Sequence, residues 1–175
     1  DGNSSETYNT DNTINISGYN DTEIHKQKQL TSHNNTTNTY LKNTNIKIGH
    51  NLSTVITGNN VFSVNNDNIE TIKQNKLQHI SNNFIETIKG NNNIIISNTY
   101  DITVSSNSNE TYNKTLNKLT NNLTETIEGS YIFNIHENNT NTFYKNLNVN
   151  IKGNLLKNIN TNNNINIEKN IINTI

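Results

Sequence analysis

An apolar residue returns every eight positions along nearly the whole chain. Stepping back from Ile88, the positions are Ile80, Ile72, Val64, Ile56, Ile48, Tyr40, Ser32, Ile24, Ile16 and Tyr8. Stepping forward, they are Ile96, Val104 and Tyr112. One seven-residue step to Leu119 follows. Steps of eight then resume through Ile127, Ile135, Phe143, Ile151, Ile159, Ile167 and Ile175. Of these 22 positions, 21 are apolar or Tyr, and Ser32 is the exception. At 29% hydrophobic residues overall, chance would place about six there.

That column decides between order and disorder. The 175 residues include 45 Asn, 25 Ile and 24 Thr, with no Ala, Arg, Pro, Cys, Met or Trp. So little apolar surface normally fails to offset chain entropy. A disordered Asn-rich tract, however, has no reason to keep step for 22 units. A short fixed period points to a coil of repeats, and Ile and Val favour strands. The bias towards Asn, Ile and Lys also matches AT-rich codons, which limits how much each Asn has to explain.

Each unit reads as one short strand plus one corner. Ile14-Asn15-Ile16, Ile46-Lys47-Ile48, Ile102-Thr103-Val104 and Phe133-Asn134-Ile135 alternate around the column. Residues two apart share a strand face, so both apolar members point inward and the residue between them points to solvent. Gly2, Gly18, Gly58, Gly90, Gly129 and Gly153 lie two places after a column position, where Asn34, Asn66, Asn82, Asn98 and Asn121 also fall. Gly and Asn tolerate positive φ best, so a sharp turn is expected there. A second apolar residue lies four or five places past the column, as at Leu52, Val61, Ile69, Leu77, Ile85, Tyr100, Leu116, Leu123, Tyr131, Leu147, Leu155 and Ile171. These are expected to cap the core near the next corner.

Two places break step. At Ser32 the inward role is expected to pass to Leu30. The lost residue between Tyr112 and Leu119 is expected in a shortened corner near 113–118, because a slip inside a strand turns its side chains inside out. Otherwise residues 1–175 form a single repetitive β-helical domain with little or no helix. Without an initiating Met, Asp1 is expected to begin a fragment of a longer protein.

Ile-x-Gly followed by five polar residues occurs at Ile16, Ile56, Ile88, Ile127 and Ile151, and Glu-Thr-Ile at 70–72, 86–88 and 125–127. This resembles the octapeptide of the central spike, the cell-puncturing needle, of contractile phage tails. It is also similar to the valine-glycine repeat spikes of type VI secretion. The chain departs by using Ile for Val and by replacing most glycines, as a distant relative such as the vertex spike of a large DNA virus would. The resemblance implies an intertwined homotrimeric β-helix, a triangular prism that transmits force to a target envelope. It further implies a baseplate, tube or capsid vertex on the N-terminal side and a small tip-capping protein at the C-terminal end. The setting would be a virion surface, a tail tip or an extracellular secretion spike.

Little chemistry is expected. His25, His33 and His136 directly follow a column residue and His79 precedes one, which puts them outside; with His50 they form no H-x-H element. Glu70, Glu86 and Glu110 recur two places before the column. Paired carboxylates can hydrolyse glycosides, but these are expected to sit at strand starts near a stacked Lys. No nucleophile elbow, P-loop or H-E-x-x-H motif is present. A net charge of −1 and the lack of Arg argue against nucleic acid. No run of 18 apolar residues offers a membrane span, and without Cys there are no disulfides. The expectation is a structural, non-enzymatic spike with no catalytic, cofactor-binding or metal-ligating residue. Its rivals are a β-helical surface fibre or adhesin stalk and an Asn-rich, aggregation-prone segment without a discrete fold.

Overall fold

Five-residue alternating segments separated by three-residue polar corners can bury one face only by stacking on one another. The computed structural model describes residues 4–10, 12–18, 20–24, 26–167 and 170–174, the last seven of these by backbone alone. It is all-β, with no helix among the described residues, coiled as a parallel β-solenoid of about seven turns. Gly2, His25 and Ile175 lie outside the described residues.

Each strand pairs in parallel with the strand one turn on. Ser4 lies beside Lys28, and Phe84 beside Ser108. Three faces result. The first holds Ser4–Tyr8, Lys28–Ser32, Leu52–Ile56 and Lys76–Ile80, continued by 100–104, 123–127 and 147–151. The second is a seven-stranded sheet from Asn12–Ile16 to Leu155–Ile159. The third runs from Asn20–Ile24 through Thr44–Ile48 and Asn68–Ile72 to Asn163–Ile167. Long strands at Asn92–Val104, Leu116–Ile127 and Asn139–Ile151 pass round the corner between the third and first faces, merging them into one sheet. Within this one chain each face is a continuous ladder.

The column packs as the alternation requires. From Ile48 to Ile151 no column side chain is more than 2% exposed. Ser32 is fully buried as well, and its hydroxyl donates to the Asn34 carbonyl at 3.1 Å. Leu30 points inward, as expected, and lines the N-terminal interior.

Three expectations need correction. The shortened corner lies beyond 113–118. Pairing runs evenly to Ile96–Thr120 and resumes at Thr99–Asn122, so the missing residue is at Asn121. Thr120, not Leu119, occupies the column, and its hydroxyl lies between the Asn98 and Asn122 carbonyls, at 2.9 and 3.1 Å, with one proton to share. This placement sends Leu116 and Lys118 inward. Losing the residue one corner earlier would have turned both outward.

Glycine does not serve the corners through positive φ, which no described residue adopts. It serves close stacking instead. A Cβ on Gly58 would meet the Asn34 carbonyl carbon at 2.6 Å and the Asn35 nitrogen at 2.7 Å, both backbone atoms of the turn below.

The second apolar rank divides by parity. Residues four past the column, such as Leu52, Tyr100, Leu116, Tyr131 and Leu147, are buried. Ile69, Leu77 and Ile85, five past it, point outward and stand about 40–46% exposed. Leu155 has the inward parity but is exposed on the last strand of its face. Ile171 lies among the residues described by backbone alone.

Asn has a structural task three places past the column. Asn59 donates its side-chain amide to Asn35 Oδ1 at 3.1 Å, and Asn83 donates to Asn59 at 3.0 Å. The Asn59 backbone N–H also donates to Asn35 Oδ1 at 2.9 Å. Asn75 on Asn51 and Asn91 on Asp67 repeat the arrangement at the other two corners. Each ladder satisfies corner groups that no strand partner reaches.

Candidate functional site: a charged interior

The mid-strand position, two before the column, faces the axis from all three sides. Along residues 70–125 that rank reads Glu70, Gln78, Glu86, Ile94, Ile102, Glu110, Lys118 and Glu125. All are buried except Glu86, which is half-buried. Glu110, Lys118 and Glu125 come from the three consecutive faces of one turn, so they converge on the axis. Lys118 Nζ lies 3.3 Å from Glu125 and 3.9 Å from Glu110. Two levels down, Lys76 enters from a strand start and meets Glu70 at 2.7 Å, with its ammonium 4.8 Å from the Tyr100 ring centre. The Tyr100 hydroxyl donates to Gln78 at 3.3 Å. Tyr112, on the column, reaches Glu110 at 2.8 Å and also Glu86.

Burial governs the electrostatics. Glu86 is raised to about 7, first by burial and then by the charge of Glu110, against the Tyr112 hydrogen bond and the two lysines. Glu125 is also raised by burial, and Lys118 opposes this. Burial disfavours the Lys118 ammonium, but Glu125 and Glu110 outweigh it and hold the group above its ordinary value. Tyr100, Tyr112 and Tyr131 are all pushed well up by burial and by neighbouring carboxylates.

Two interior cavities flank this segment. The N-terminal one, about 150 Å³, is bordered by Glu70, Lys76, Gln78 and Glu86. The C-terminal one, about 240 Å³, is lined mainly by Leu123, Phe133, Phe143, Leu147 and Val149.

Glu70, Glu86 and Glu110 thus lie mid-strand and inward rather than at strand starts, although a lysine from another strand does meet Glu70 and Glu110. Glu125 is a fourth member, and its signal was the same Glu-Thr-Ile at 125–127. Lys118 was hidden by the misplaced slip, because a column at Leu119 would have put it outside. Among the described histidines, His33, His50 and His136 are exposed and His79 is half-exposed on an outer face. No group of three or more His, Cys, Asp or Glu fit to hold a metal occurs among the described residues.

Chemically, the arrangement can hold charge and protons inside the coil. The four carboxylates face one another and two lysines across the axis. No family model, curated protein or solved structure matches the chain.

Proposed function

We propose that the chain is a structural, non-enzymatic spike element, used to penetrate an envelope or to carry a tip protein. The observation that carries this is the continuity of its ladders. Parallel pairing runs turn upon turn on all three faces, over a column that stays dry from Ile48 to Ile151. Bending such a coil breaks backbone hydrogen bonds along a whole face at once, and that stiffness suits transmission of force.

The finer part of the proposal is a homotrimer wound about a common axis. Eight-residue periodicity supports it, because a strand 24 residues on in the same chain and one eight residues on in a neighbouring chain offer the same side-chain parity. Both arrangements keep Ile88 inside. They differ in height: about seven turns at one strand spacing each give roughly 35 Å, and three spacings per turn give roughly 100 Å. The N-terminal side would meet a baseplate, tube or capsid vertex, and the C-terminal end a tip-capping protein, on a virion, a tail tip or an extracellular secretion spike.

Light scattering after size exclusion, with small-angle X-ray scattering, tests this. A trimer of fixed mass about 100 Å long is the expected result. A monomeric stub removes the wound trimer and leaves a single-chain rod, consistent with a fibre or adhesin stalk. A polydisperse species with little β signal overturns both readings in favour of an Asn-rich segment without a discrete fold.

A further inference from the structure

The in-register parallel ladder places Glu86 directly beside Glu110. Like charges directly opposite each other on one face are unfavourable, and here that face is the interior. Of the four inward glutamates between residues 70 and 125, three have a lysine ammonium within 4 Å: Glu70 has Lys76, and Glu110 and Glu125 share Lys118. No ion pair to Glu86 occurs among the described residues. Its carboxylate meets the Tyr112 hydroxyl, which also lies 2.8 Å from Glu110.

A phenol has one proton to donate and cannot serve two carboxylates at once. Both contacts are satisfied only when one carboxyl carries a proton of its own. Glu110 already has Lys118 at 3.9 Å and the Ser108 hydroxyl at 3.4 Å, so the geometry puts the extra proton on Glu86. The chain then runs one way: the Glu86 carboxyl donates to the Tyr112 oxygen, and the Tyr112 hydroxyl donates to Glu110.

We infer that Glu86, Tyr112 and Glu110 form a proton-holding lock in the core, so that the coil keeps one carboxyl proton near neutral pH and loosens in its middle turns when that proton leaves. Every charged or titratable group facing Glu86 bears on this. Glu110 and Tyr112 lie on the strand above it, while Asn60–Val64 below contributes Phe62 inward. Across the axis stand Glu70, Lys76, Tyr100 and Lys118. Losing the proton leaves four inward carboxylates against two lysines. The upward shift of Glu86 agrees in direction. Its value in the folded state is above that in the unfolded chain, so folding binds a proton between them. Stability from this group is fully present below about 4.5 and is lost as pH rises through about 7. The lock rests on the single-chain pairing of Glu86 with Glu110. Strands wound eight residues apart among three chains would set Ile94 beside Glu86 instead, so a trimer of that register overturns the lock.

Urea unfolding of the full chain between pH 5 and 8, compared with E86Q, tests it. The wild-type folding constant should fall by up to about tenfold per pH unit between about 5 and 7 relative to that of E86Q. Equal slopes would overturn the lock. Carboxyl-carbon NMR of the wild type gives an answer that does not depend on the variant folding. One Glu resonance should remain in the protonated range at pH 6, and its absence overturns the proposal.

Discussion

Two inward ranks run the length of the same interior and have opposite chemistry. At the strand ends, the column is Ile or Val at most positions and dry. Mid-strand, two residues earlier, the rank between residues 70 and 125 carries four glutamates and a lysine. Geometry explains the difference. A strand-end side chain is wedged beside a corner and stacked on the column residues one turn above and below. Tyr8 and Tyr112 reach carboxylates from there because their hydroxyls extend to the mid-strand rank. A mid-strand side chain points at the axis, where residues from three faces meet. Long polar groups can find one another there, as Glu110, Lys118 and Glu125 do. Direction alone therefore does not make a position apolar; the number of faces within reach does.

The sharpest way to break this comparison is to put a charge in the column. Ile88→Asp should not fold, since an unpaired carboxylate there has no cation in reach and strands on three faces depend on that layer. A cooperative β-sheet melt in circular dichroism from that variant would refute the distinction between the ranks. The next largest effect belongs to Lys118→Met, which leaves Glu110 and Glu125 buried without their cation and should cost about 3–5 kcal/mol in urea unfolding. Adding Glu110→Gln and Glu125→Gln should recover most of that loss. If the triple variant is no better than the single one, the network is not what makes Lys118 matter.

Corner effects are smaller and isolate backbone stacking from both ranks. Gly58→Ala forces a methyl group against the backbone of Asn34 and Asn35 and should cost about 1–3 kcal/mol. Gly18→Ala, with nothing near its Cβ, should cost less by the same assay. Asn59→Ala interrupts one ladder at its middle rung. A loss of about 1 kcal/mol is expected, with faster amide exchange at corners 57–59 and 81–83 as the local readout.

Much of the fold was legible because parity in a strand is strict. The alternation at Ile46-Lys47-Ile48 already states which side is inside. The same rule, carried through, separates Leu52 from Ile69, which were grouped together as capping residues although one lies four and the other five places past the column. Glu70, Glu86 and Glu110 were visible as a recurring phase, and parity sends them inward; what they touch was not visible. Lys76 meets Glu70 from the next strand, and Tyr112 reaches Glu86 from 26 residues away. The glycine phase was read correctly and its cause was not, because a Cβ clash with the turn below involves atoms 23 or 24 residues distant in sequence.

The period, the parity and hence an all-β coil with an aliphatic column follow from side-chain spacing along one strand. Stacking resolves what spacing leaves open. The missing residue could lie at either of two adjacent corners, and each choice buries one leucine, Leu116 or Leu119. Stacking settles it at Asn121, where Lys118 turns inward to two carboxylates and Thr120 finds two corner carbonyls. The preference comes from partners on other faces and turns, Glu110, Glu125 and the Asn98 carbonyl, which side-chain spacing along one strand does not reveal.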